Sequence, residues 1–171
     1  MKALETLLRK AVLSECGSYR YALTREWADG KCVAWLMLNP STADADIDDP
    51  TIRRCIGFAK QWGYGRLVVV NLFALRATDP RVLVRNADPV GSKNNFYIAK
   101  AMKEAQEVIC AWGCQQHLRT IALRQRLDEV LMRIPNGLKT TCLGYRRDGA
   151  PRHPLMVGYQ TPRTPFVSSR E

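Results

Sequence analysis

An unbroken apolar run, CVAWLML, fills residues 32–38 and stops at Asn39-Pro40. A second run, LVVV, ends at Asn71, and a third, VICAW, ends at Gly113. Runs this short and this continuous suit strands covered on both faces, the situation of a parallel sheet between helices. The residue before a proline is held extended, so Asn39 marks a fixed strand exit. Helical segments alternate with the runs. Asp49-Pro50 opens one, with an acidic cap and proline at the first position, and Gly63 closes it. Ser92 opens a second that runs to about residue 105, and residues 118–133 form a basic amphipathic third. With a further strand at 140–143, the pattern predicts an α/β three-layer sandwich: a mostly parallel central sheet of about four core strands, flanked by helices. The exits at Asn39, Asn71, Gly113 and Gly144 then share one edge, where open α/β sheets bind ligands.

The remaining segments are read from spacing. Leu4, Leu7, Leu8 and Val12 fit one face of a short helix over 4–13. Residues 19–27 alternate, and Asp29-Gly30 is a turn signal, which predicts an N-terminal antiparallel hairpin with the first core strand. The connection 72–91 carries Arg76 and two Asp-Pro pairs, and its length points to function. A chain of 171 residues is expected to form one domain over 1–158, followed by a flexible tail over 159–171 rich in Pro, Ser, Thr and Arg.

Lys and Arg number 26 against 16 Asp and Glu, a formal charge of +10. A small domain this basic points to DNA or another nucleic acid as partner. Six cysteines without CxxC spacing, and only two histidines, argue against structural zinc, so no metal and no other cofactor is expected. No secretory leader opens the chain, and no apolar stretch approaches the roughly 20 residues that span a bilayer. A reducing cytoplasm and no membrane contact are therefore expected.

Several residues carry chemistry. Asn39 and Asn71 offer donors and an acceptor together at equivalent exits, enough to orient a water or read a base edge. Asp44, Asp46, Asp48 and Asp49 crowd the first loop. They fail the calcium-loop pattern, because glycine and glutamate are missing at the sixth and twelfth positions counted from Asp44. Asp48 and Asp49 suit a helix N-terminus, while Asp44 or Asp46 is a candidate general base or magnesium ligand. His153 lies between Pro151 and Pro154 beyond a Gly/Arg-rich loop, whereas His117 reads as a surface residue.

Four segments in order resemble the uracil-DNA glycosylase superfamily: Leu38-Asn39-Pro40-Ser41, the strand ending in Asn71-Leu72-Phe73, the strand ending in Trp112-Gly113, and His153-Pro154. LNPSTAD, NLFALRATDP and PRHP more closely resemble an uncharacterised bacterial and phage family known only as a domain of unknown function. The resemblance implies a glycosylase-like fold and a flipped base in DNA. Asn39 would position the attacking water, with Asp44 as a further catalytic candidate. Asn71, Phe73, Pro40 and Ser41 would hold the base, and His153 would stabilise the departing base. Arg76, Arg146, Arg147 and Arg152 would meet the phosphate backbone. Asparagine replaces the superfamily's aspartate at position 39, and Leu155 replaces its serine after His-Pro. The expected function is thus that of a nucleic-acid base N-glycosylase, a hydrolase. A non-catalytic binder of nucleic acid or modified nucleotide is the alternative, and a small-molecule nucleoside hydrolase the second alternative.

Overall fold

The computed structural model describes residues 8–113 and 121–168. His117 and the start of the third predicted helix lie outside the described residues, as do residues 1–7 and 169–171. The elements are β1 (Leu8–Leu13), β2 (Arg20–Glu26), β3 (Cys32–Met37), α1 (Pro50–Gln61), β4 (Arg66–Asn71), α2 (Arg81–Arg85), α3 (Asn94–Glu104), β5 (Glu107–Cys110), α4 (Ile121–Leu131), β6 (Lys139–Cys142) and β7 (Thr164–Pro165). They build an α/β fold with one seven-stranded mixed sheet in the order β1-β2-β4-β3-β5-β6-β7. The pairs β4–β3, β3–β5 and β5–β6 are parallel, and β1–β2, β2–β4 and β6–β7 are antiparallel.

β3 is buried along its whole length, which its unbroken apolar run requires. Successive side chains alternate between faces. Ala34 and Leu36 join a cluster with Ile98 and Met102 of α3 and Val130 of α4. Val33, Trp35 and Met37 join Ile52, Cys55, Phe58 and Ala59 of α1 in the opposite cluster. Asp49 caps α1 as its position implies, its carboxylate accepting the Ile52 amide at 2.9 Å.

Three expectations need correcting. The segment read as a helix over 4–13 contributes strand β1, with Leu8 opposite Glu26 and Val12 opposite Ala22. Pairing with β2 overrides a helical spacing too short to hold by itself. The N-terminal hairpin is β1–β2, not β2–β3, because β4 inserts between β2 and β3. Segment 27–31 folds over the start of β4, with Trp27 and Ala28 donating to the Gly65 carbonyl and Gly65 donating to Lys31. A Cβ at Gly65 would lie 2.3 Å from the Ala28 carbonyl oxygen, so only glycine admits the crossing. Of residues 159–171, expected as a flexible tail, the described stretch up to residue 168 is docked. β7 pairs with β6, the Arg163 guanidinium donates to buried Glu107 at 2.5 Å, and Phe166 meets Trp112 edge-on. Composition hid this because the docking uses an ion pair and aromatic faces rather than an apolar run.

Candidate functional site

The parallel strands β4, β3 and β5 end beside one another, and a cleft of about 410 Å³ opens beyond their carboxyl ends. This volume is in the range that holds a small molecule or a base. Asn39, Ser41, Asn71, Gly113, Arg146 and His153 line it, although they span more than a hundred residues of sequence. Met37, Leu38, Ile52 and Val69 supply apolar walls, Ala77, Thr78 and Pro80 come from the long connection, and Leu155 and Met156 stand exposed at the rim.

Both amide hydrogens of Asn39 are taken, Nδ2 donating to Ala77 at 2.7 Å and to Pro40 at 3.1 Å. These bonds fix the carboxamide and leave Oδ1 as its acceptor. Asn71 is 1% exposed, and its Nδ2 has no hydrogen-bond partner. The strand exit beneath it is pinned, since Asn94 donates to the carbonyls of Asn71 and Leu72 and Arg126 donates to Leu72 at 2.7 Å.

His153 begins a short 3-10 turn over Pro154–Met156. The Leu155 amide donates to its Nδ1 at 3.2 Å, so a neutral ring carries its proton on Nε2. Burial pushes the imidazole below its ordinary value, with the Asp49 charge pulling the other way, and the ring is therefore neutral at pH 7. Gly113 makes room for it. A Cβ on Gly113 would lie 3.0 Å from the His153 Cβ, and its φ of +74° already belongs to glycine. The Gly113 amide donates to Pro151, tying the β5 exit to the histidine loop. Arg54 of α1 closes the far side by donating to the carbonyls of Val157 and Pro154.

The acidic loop is fastened down. Asp44 lies outside the cleft lining and accepts the amides of Ile47 and Asp46, bonds that lower its pKa. Asp48 pairs with Arg25 at 2.8 Å and Arg9 at 3.2 Å. Asp49 alone among the acids lines the cleft. Among the described residues no cluster of three or more His, Cys, Asp or Glu side chains is placed to hold a metal ion.

Of the other sequence candidates, Pro40 is buried beside the site without lining it. Phe73 belongs to the α3-side core, which assigns its ring to packing and not to the cleft. Arg76 donates to the Gly17 carbonyl away from the lining, Arg147 and Arg152 are exposed, and Arg152 donates to Tyr145. The sequence reading missed Arg20, named Trp112 only as the end of a strand motif without a site role, and placed Asp49 at the helix N-terminus rather than in the cleft. Arg20 sits in an alternating stretch that reads as an edge strand; in the fold its guanidinium donates to the Ala43 carbonyl and its amide to the Ala74 carbonyl. Its place immediately before the glycine that receives His153 is the signal that could have given Trp112 a role.

In comparisons with known proteins, residues 20–155 match one family, described as "Protein of unknown function (DUF1643)". No curated protein and no solved structure matches the chain.

Proposed function

We propose, for a chain that belongs to this family of unknown function, that the cleft receives a base flipped out of nucleic acid and hydrolyses its N-glycosidic bond. The observation that carries the reading is the meeting of Asn39, Asn71 and neutral His153 in one apolar-walled cleft at the strand exits. Water adds to the sugar carbon, the bond to the base breaks, and the base leaves with the bonding electrons. Asn39 Oδ1 orients the water. Asp49 takes its proton and faces the cationic sugar, the role the sequence reading gave to Asp44. His153 Nε2–H meets charge developing on the base, and Asn71 reads the base edge. Flipping costs a few kcal/mol of unstacking, which the +10 balance helps to offset through phosphate contacts. The test is a mass-spectrometric search for free bases after incubation with unmodified genomic DNA and with phage DNA carrying modified bases. If the protein binds DNA tightly and frees no base from either, the enzyme reading fails. A non-catalytic binder would take its place, a reading favoured by an amide, not an acid, at position 39.

Two further outcomes follow from the geometry. Gly113→Ala should cost roughly 1–2 kcal/mol of stability for the left-handed backbone. It should also lower base release about 10- to 100-fold by displacing His153, with DNA affinity nearly unchanged. Urea unfolding and single-turnover assays check this, and an unchanged rate would remove His153 from the chemistry. Replacing Arg146, Arg147 and Arg152 together should flatten the plot of log affinity against log salt by about two to three units. An unaltered slope would mean that the histidine loop does not touch phosphate.

A further inference from the structure

The buried hydrogen-bonding atoms of the cleft lining that lack a partner are all donors. Three buried residues of the lining carry a side-chain donor that meets no protein acceptor: Arg20 Nε, Asn71 Nδ2 and Trp112 Nε1, Trp112 also bordering a smaller pocket beside Phe166. The three residues are 2%, 1% and 3% exposed. Buried polar groups are nearly always satisfied, so three orphan donors among the residues that line one cleft point to a ligand that completes them. All three donate, and an amino-bearing edge would meet donor against donor.

Arg20 adds charge. Its one side-chain hydrogen bond, from Nη1 to the Ala43 carbonyl at 2.7 Å, leaves most of its guanidinium fork unused. No carboxylate of the described residues lies within ion-pair distance of it. Asp49 attracts it, Arg76 and Arg25 repel it, and the Arg25 charge is already answered by Asp48. Burial, the largest influence, brings its pKa down to about 10, so it stays charged at neutral pH. Arg146 adds a second positive group, held 3.4 Å from Asp148. With His153 neutral, Asp49 is the one negative charge among the described residues of the lining.

We propose that the Arg20 wall is a subsite for an anionic, oxygen-rich group, and that the cleft takes a pyrimidine ring bearing ring carbonyls and a carboxylate. The planar guanidinium matches a carboxylate, while the Asn71 amide and the Trp112 indole match carbonyl oxygens. Naming the ring rests on the base-cleft reading; the anion subsite itself does not.

Calorimetric titration of the full chain with 5-carboxyuracil, uracil and cytosine tests the proposal, with nitrogen-edited NMR following the indole protons. The expected order is carboxyuracil about tenfold or more tighter than uracil, the gain typical of a charge-assisted pair, and uracil tighter than cytosine. The indole proton absent from Trp112→Phe should shift on saturation with carboxyuracil. Arg20→Met should erase the preference for the carboxylate. Trp112→Phe, which deletes a donor without touching the buried charge, should weaken both oxo-pyrimidines by a similar factor and preserve their ratio. This second variant keeps the test decisive if Arg20→Met does not fold. Equal binding of carboxyuracil and uracil, a preference that survives Arg20→Met, an unmoved indole proton, or no binding by any of the three overturns the proposal. An Arg20-dependent carboxylate preference without base release from any DNA would leave the subsite standing and remove the enzyme reading. Base release with charge-blind binding would do the reverse.

Discussion

His153→Ala is expected to lower base release about 100-fold or more while leaving DNA affinity within about threefold. A hydrogen bond that strengthens as charge develops on the leaving group contributes to the transition state and little to binding. The pH dependence carries the same signature. Burial holds the imidazole below its ordinary value of 6.5, so the folded protein favours the neutral ring. As pH falls below that value the unfolded chain takes a proton that the folded chain still refuses. The stability tied to the neutral ring is therefore complete above the ordinary value, and is lost as pH falls through the lower, folded one. Protonation also places a hydrogen on Nδ1, opposite the Leu155 amide that now donates to it. Release should thus decline on the acid side. His153→Gln, which keeps a donor and does not titrate, should recover part of the rate and lose that decline. Rates within threefold of wild type for the alanine variant would assign the chemistry elsewhere, and an acid decline that persists unchanged in the glutamine variant would assign that decline to the Asp49 base instead of His153.

Arg25→Met should produce the largest loss of stability, about 3–5 kcal/mol, the range for removing one partner of a buried pair. The Arg25 side chain is fully buried, and Asp48 is only 10% exposed. Beyond that pair, Arg25 donates to the Asp44 carbonyl at 2.6 Å and to the Thr24 carbonyl at 2.9 Å. Methionine would leave Asp48 with the more exposed Arg9 as its remaining ion-pair partner, and would release the loop that leads to Asp49. Urea unfolding measures the loss, and faster proteolysis of 41–48 locates it. Asp48→Asn in the Arg25→Met background should recover part of the loss, because the stranded charge is gone. A loss under about 1 kcal/mol would show that the loop is held by its backbone alone.

The buried strands were legible because continuous apolar runs have few alternatives once helices cover both faces. Asp49-Pro50 gave away α1 by local chemistry that does not depend on context. The place of β4 was not legible, since Asp29-Gly30 is as good a hairpin signal locally as one that forms. The cleft was partly legible: strand exits at Asn39, Asn71 and Gly113 mark themselves by where apolar runs stop. Arg20 was not, because the groups that meet it, the Ala43 and Ala74 carbonyls, lie far from it in sequence. Phe73 misled for the opposite reason, since Asn71 two positions before it lines the site while Phe73 itself belongs to the core.

The insertion of β4 also bears on how the chain reaches this structure. While a ribosome is still making residues 66–71, β2 and β3 are already out, joined by a turn sequence suited to pairing them with each other. That hairpin is local and fast to form, whereas the native neighbours are separated by a long loop whose closure is slow. Pairing β2 directly with β3 closes the gap that β4 must enter, and it must come apart before the sheet can assemble. Folding of this chain is therefore expected to pass through a competing early species. Weakening the Asp29-Gly30 turn should speed refolding even where it does nothing for the finished sheet.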